Sequence, residues 1–332
     1  MPDAAGTRSI DLVLEGGGVK GIGLLGAVLT LYDAGYRFER IAGTSAGAIV
    51  ASLVAAYQKA GRDLHELEGV MRNCQYPKFA ADSTLERLTG PIGAGVELLL
   101  HEGAHSGNYL KEWLGPILAD VGVRTFADLR LDDPDTSLLD YQRYSLVVHT
   151  SDLSRRVLVR LPWDYAHYDL NADEQPVVDA VRASMSMPFY FRPIEVETSN
   201  GKVTWVDGGL LSNFPITVFD RTDGKPNRWP TWGVSLSGRP VVGKDKPVRT
   251  ALGIAIAGLE TLMTDWNRYH LDDEGVNSRT IFVDTQGVQA FNFNVSADEQ
   301  DMLYEHGIQA AKKFLQQHAL ISAADQGDEK GL

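Results

Sequence analysis

The chain has a single cysteine, Cys74, among 332 residues. One thiol cannot close an internal disulfide, and a buried free thiol is expected. Basic residues are outnumbered by acidic ones, 31 to 44, giving a net charge of −13. That balance argues against a nucleic-acid partner and against strong electrostatic attraction to anionic membranes. Long apolar runs are also missing. The longest, near 46–57 and 251–259, are too short to cross a bilayer and read as core helices. No basic segment followed by a long apolar one opens the sequence, which makes the cytoplasm the expected compartment. The eight histidines are scattered, and none forms H-E-x-x-H. His101 and His105 are spaced i, i+4, but Gly103 interrupts them and no third ligand follows. No carboxylate cluster has calcium-binding spacing. Neither a metal nor a cofactor is therefore expected. Repeats and low-complexity segments are absent as well, while a hydrophobic content of 44% supplies ample core.

What is present is concentrated in three short blocks. The first is Gly43-Thr44-Ser45-Ala46-Gly47, after the apolar Ile41-Ala42 and before the small apolar run Ala48 to Ala55. Strand, sharp turn and helix follow one another, with G-x-S-x-G across the turn. The flanking glycines let the backbone fold tightly enough to expose a serine hydroxyl at a helix N-terminus, where negative charge is favoured. Ser45 is the candidate nucleophile. The second block lies upstream. The strand-like Ile10 to Leu14 leads into Glu15-Gly16-Gly17-Gly18-Val19-Lys20-Gly21 and then the apolar run Ile22 to Tyr32. Consecutive glycines at a helix start present unobstructed N–H groups to an anion, and in acyl transfer that anion is the tetrahedral oxyanion. Lys20 adds a positive charge in a place a helix dipole disfavours, which points to an anionic neighbour. Gly16, Gly18 and Gly21 also fit G-x-G-x-x-G, with Glu39 as the ribose-binding acid of a dinucleotide site. Glu39 stands at the start of the second strand, where that site needs it at the end. The third block is Val206-Asp207-Gly208-Gly209, a strand delivering an aspartate into a glycine turn. Together the blocks supply an oxyanion loop, a nucleophile and a carboxylate that can take the serine proton.

In this combination and order the chain resembles the patatin-like phospholipases, over about residues 9–240. Two flanking stretches share the likeness, Ala183 to Pro193 before the aspartate strand and Leu210 to Pro215 after it. Lys20 and Glu15 depart from it, since arginine and aspartate are more usual there. The resemblance implies hydrolysis of a lipid or other acyl ester, of phospholipase A or esterase type, through an acyl-enzyme on a Ser45–Asp207 dyad. The oxyanion would be held by the loop of residues 16–21. A weak or regulatory acyl-binding protein with the same residues is the alternative, and turnover abolished by Ser45→Ala separates the two. Transient contact with a membrane surface is compatible with either.

The coarse pattern is strand–helix–strand–helix over 10–57, which implies an α/β fold with a mostly parallel central sheet and helices on both faces. The elbow follows the second strand, earlier than an α/β-hydrolase places it. Further strands are expected at 144–150, 156–160, 202–206, 232–236 and 280–284, with helices over 249–270 and 298–320. Residues 1–8 read as an extension, 9–321 as one three-layer domain and 322–332 as a disordered tail. The stretch 91–108 reads as a core helix with its connecting loop, or else as a lid, and Asn108 as a helix cap. His149, at a strand end, and His270, downstream of Asp207, are the histidines a triad would use. A structural role is expected for both, while Asn213 and Pro215 read as shaping the aspartate turn or else as ordinary loop residues.

Overall fold

The computed structural model describes residues 8–81, 107–132, 138–236, 274–290 and 292–328, with isolated positions between 248 and 262. The strands are β1 (Arg8–Leu14), β2 (Tyr36–Thr44), β3 (Leu146–Asp152), β4 (Val157–Leu161), β5 (Ile194–Thr198), β6 (Gly201–Asp207), β7 (Thr231–Ser235) and β8 (Thr280–Phe282). The helices are α1 (Gly21–Asp33), α2 (Ala46–Lys59), α3 (Glu66–Arg72), α4 (Pro77–Ala81), α5 (Asn108–Asp120), α6 (Val177–Ser184), α7 (Glu274–Asn277) and α8 (Ala297–Asp328). They form an α/β domain with a largely parallel central sheet flanked by helices on both faces.

The sheet order is β5-β6-β3-β2-β1-β7-β8, with β4 paired to β3. β1, β2 and β7 are interior strands, and their apolar runs are buried, as strands covered on two faces require. β1 and β2 are clamped by a buried ion pair. Arg40 donates from Nε to Asp11 Oδ1 at 3.0 Å and from Nη2 to Oδ2. Helix α1 is apolar around its circumference, so it is buried rather than half-exposed. It packs against α8 at close range. A Cβ on Gly26 would overlap the Tyr304 carbonyl, and one on Gly307 the Gly23 carbonyl.

The register on β3 matters most for the site. β4 takes one edge of β3 along residues 148–152. The other edge is shared. β2 pairs in parallel as far as Thr44 opposite His149, and β6 pairs antiparallel from Asp207 opposite Thr150. The C-terminal ends of β2 and β6 therefore meet head-on along one line of the sheet.

Several expectations need correction. β5 carries no apolar run long enough to announce it and, among the described residues, pairs only with β6. Glu39 stands inside β2, as its fourth residue, and accepts from Ser9 Oγ at 2.6 Å. Gly107, with φ of 69°, holds the cap position that Asn108 was expected to take, and Asn108 is the first residue of α5. Helix α8 is described from Ala297 as far as Asp328. The stretch 91–106, most of 249–270, and with them His101, His105 and His270, lie outside the described residues.

Candidate active site

Ser45 sits between β2 and α2 with φ of 52° and ψ of −119°, a conformation side chains rarely adopt. The turn is tight on both sides. A Cβ on Gly43 would overlap the Gly47 carbonyl, and one on Gly47 the carbonyl of Leu14 at the end of β1. Gly43 and Gly47 are thus required by close backbone approach. Thr44 ties the turn to the aspartate side through a bond from Oγ1 to the Ser212 carbonyl, 3.3 Å. Ala46 opens α2, whose first-turn N–H groups lack intrahelical acceptors.

The glycine loop is braced from below. Glu15 is buried, and its Oε2 accepts from Ser235 Oγ at 2.7 Å and Leu236 N–H at 2.5 Å. Its Oε1 accepts from Asn213 Nδ2 at 3.3 Å. Asn213 also donates to the Gly16 carbonyl at 3.1 Å and accepts from Gly16 N–H at 3.1 Å through its own carbonyl. Asn213, read from the sequence as shaping the aspartate turn, also couples that turn to the glycine loop, a link that loop composition alone does not signal. Farther along, Val19 N–H donates to the Ala290 carbonyl at 2.9 Å and Lys20 N–H to the Gly17 carbonyl at 3.2 Å. Gly16, Val19 and Lys20 thus have their N–H groups occupied. Gly17 and Gly18 have theirs open among the described residues. Gly18 has φ of 58°, and a Cβ there would overlap the Ala290 carbonyl. Gly21 begins α1. Lys20 is half-buried and makes no ion pair among the described residues. Burial holds its ammonium below the usual lysine range, and the nearby Glu15 charge opposes that shift.

Asp207 ends β6, with only 1% of its surface exposed. Its N–H donates to the Ser186 carbonyl at 2.9 Å. Its Oδ1 accepts from Gly209 N–H at 2.8 Å, while Oδ2 takes no hydrogen bond of ordinary geometry. The Ser45 hydroxyl nevertheless lies near enough to favour the ionised carboxylate. Burial outweighs that effect and the Gly209 bond, and pushes the carboxyl up to about 7. Gly208 lies against His149, where a Cβ would overlap the His149 carbonyl. His149 itself is fully buried and does not line the pocket. Neither of its ring nitrogens makes a hydrogen bond of ordinary geometry, although the Gly43 backbone lies close enough to favour the charged form. Burial dominates and pushes the imidazole down to about 4, so it is neutral at physiological pH.

Ser45, Asp207 and Gly18 open onto one pocket. Its walls are apolar: Ile49, Phe79, Met185, Met187, Phe191 and Phe293. These residues, and Ser184 beside them, have no motif that identifies them in the sequence. They come from α2, α4, the segment after α6 and the stretch before α8. Only the likeness of residues 183–193 hints at any of them. Among the described residues, no group of three or more His, Cys, Asp or Glu could hold a metal ion, and no helix is long and apolar enough to cross a membrane.

The model of the patatin-like phospholipase family matches residues 12–220. The uncharacterized protein YqhO of Bacillus subtilis is 34% identical over 308 residues, covering 93% of this chain and 98% of that protein. An uncharacterized NTE family protein of Mycobacterium tuberculosis is 27% identical over 219 residues, 66% of this chain but 29% of that larger protein. Among solved structures, VipD from Legionella pneumophila shares the fold, with a TM-score of 0.50 and 16% identity over 96% of this chain and 70% of that one. The chain belongs to the patatin-like phospholipase family, lipid acyl hydrolases that work through a serine–aspartate acyl-enzyme mechanism.

Proposed function

We propose that Ser45 is the nucleophile and Asp207 the base, and that the N–H groups of Gly17 and Gly18 hold the oxyanion. The observation that carries this reading is the head-on meeting of β2 and β6 on β3. It brings the buried elbow serine and a buried carboxylate to the lining of one apolar pocket. An acyl chain in that pocket brings its ester carbonyl to Ser45. As Ser45 Oγ bonds to the carbonyl carbon, its proton passes to Asp207 Oδ2. The negative charge on the carbonyl oxygen is met by the two glycine N–H groups and the start of α2. Collapse breaks the ester C–O bond, and the leaving alcohol takes the proton from Asp207. Water then attacks the acyl-enzyme, gives its proton to Asp207, and Ser45 regains a proton as the fatty acid departs. A carboxyl near 7 is better matched to this traffic than a free aspartate near 3.9.

The apolar walls favour a fatty acyl ester of phospholipase A or esterase type, met at a lipid surface the protein touches transiently. We place the reaction in the cytoplasm, since the buried Cys74 calls for no oxidising compartment. The test uses a fluorogenic fatty acyl ester and a fluorophosphonate probe. Wild-type protein should turn over the ester and be labelled once, at Ser45. Ser45→Ala and Asp207→Asn should both be silent while remaining folded. Turnover by Ser45→Ala would overturn the assignment.

A further inference from the structure

Resting on the dyad reading, we infer that Ser184 is a positioning residue for Ser45. It belongs to a short turn, residues 182–187, that gauges the separation of serine and aspartate. Ser184 is the last residue of α6 and is fully buried. Its Oγ accepts from the backbone N–H of Ser45 at 2.8 Å. Two residues on, the Ser186 carbonyl accepts from the backbone N–H of Asp207 at 2.9 Å. One turn thus holds the backbones of both dyad residues, although they come from different strands. Between and beside these two grips, Met185 and Met187 line the acyl pocket.

The turn is itself anchored. Arg182 is buried, donating from Nη1 to Ser186 Oγ at 2.6 Å and from Nη2 to the Arg192 carbonyl at 2.9 Å. Ser186 Oγ in turn donates to the Arg182 carbonyl at 3.0 Å. The chain therefore cannot shift at Ser186 without breaking a buried guanidinium network.

The need for such a grip follows from Ser45 itself. A non-glycine residue at φ of 52° persists only where its surroundings over-determine it. The peptide joining Thr44 to Ser45 carries the N–H that Ser184 accepts. Fixing that peptide fixes the direction of the Ser45 side chain toward Asp207. Without the Ser184 oxygen the N–H is buried and unsatisfied, and the elbow can relax away from the productive geometry.

The experiment compares Ser184→Ala and Ser184→Thr with wild type. It reads kcat and KM on a fatty acyl ester, the rate of fluorophosphonate labelling, and the melting temperature. Ser184→Ala should lower kcat and the labelling rate together by about ten- to a hundredfold, the range of one unsatisfied buried donor, with KM nearly unchanged. Ser184→Thr, which restores a hydroxyl, should recover most of both rates. A Ser184→Ala protein that melts lower but labels and turns over at the wild-type rate overturns the inference. So does a folded Ser184→Thr protein as slow as Ser184→Ala. If Ser184→Ala does not fold, Ser184→Cys keeps the volume with a weak acceptor and is read in its place. The parent reading is judged separately. Turnover by Ser45→Ala counts against the dyad, whereas normal Ser184→Ala with dead Ser45→Ala counts against the positioning role alone.

Discussion

At the scale of single residues, Asp207 carries two consequences of one burial. Its carboxyl is pushed up to about 7 because the charged form loses solvation that one Gly209 bond and the serine hydroxyl do not restore. A base must be ionised, so kcat/KM should rise with pH through about 7 and level above it. A profile flat between pH 5.5 and 8.5 would contradict that role. Stability runs the other way. The folded state binds the Asp207 proton more tightly than the unfolded chain, whose carboxyl titrates near 3.8. Its contribution is therefore fully present below the unfolded value and is lost as pH rises through about 7. Above that pH the protein holds a buried charge at a cost of up to about 4 kcal/mol. Asp207→Asn should accordingly melt higher than wild type at pH 8.5 and about equally at pH 4. Thermal melts at both values check this. His149 is the contrast. It is buried, neutral and outside the pocket wall, so His149→Ala should lose stability by about 2–4 kcal/mol yet keep the midpoint of the activity profile. A shifted midpoint would bring a histidine into the chemistry.

At the scale of elements, the glycine loop is a strand-to-helix connection with most of its donors already used. Gly17 and Gly18 can be separated by what a methyl group would meet. At Gly17 it meets the Leu236 Cδ1 methyl, the movable end of a side chain. At Gly18 it meets the Ala290 carbonyl, and the backbone there has positive φ. Gly17→Ala should therefore fold and lose roughly tenfold to a thousandfold in kcat, the effect of a disturbed oxyanion donor. Gly18→Ala should lose thermal stability as well. Circular dichroism melts beside steady-state rates distinguish them, and normal turnover in folded Gly17→Ala would remove the loop from the mechanism. This element also shows what could be read in advance. The elbow, the glycine run and the aspartate turn were legible because each is a local strand–turn pattern. The partners were not. Ser184 and Ala290, and the bonds of Asn213 to the glycine loop, arise through the chain's return from far away, and no periodicity encodes such a return. The register of β2 and β6 on β3 was hidden for the same reason. β5 escaped because its alternating Ile194, Glu195, Val196 and Glu197 make a half-exposed edge strand without an apolar run.

At the scale of the whole molecule, the site is not contained in the stretch that matches the family model. That match ends at residue 220, yet Ala290 holds the Val19 N–H and Phe293 forms part of the pocket wall. Both precede α8, which packs on α1 through Gly26 and Gly307 and so ties the end of the chain to the helix behind the glycine loop. Phe293 lies between two other aromatic walls, with ring centroids 6.1 Å from Phe79 and 6.1 Å from Phe191. Those three rings come from well-separated parts of the sequence, and their packing closes space that an acyl chain would otherwise use. Phe293→Ala opens that space without touching Ser45, Asp207 or the loop N–H groups. The expected outcome is a change in selectivity rather than in chemistry. Across a series of p-nitrophenyl esters, the optimum of kcat/KM should move toward longer acyl chains, while the rate of labelling by a small fluorophosphonate stays near wild type. An unchanged chain-length optimum in the folded variant would show that Phe293 buttresses the fold and does not bound the substrate. A labelling rate that collapses would show instead that the C-terminal stretch holds the glycine loop in place through Ala290, and that its wall residue cannot be altered independently of that hold.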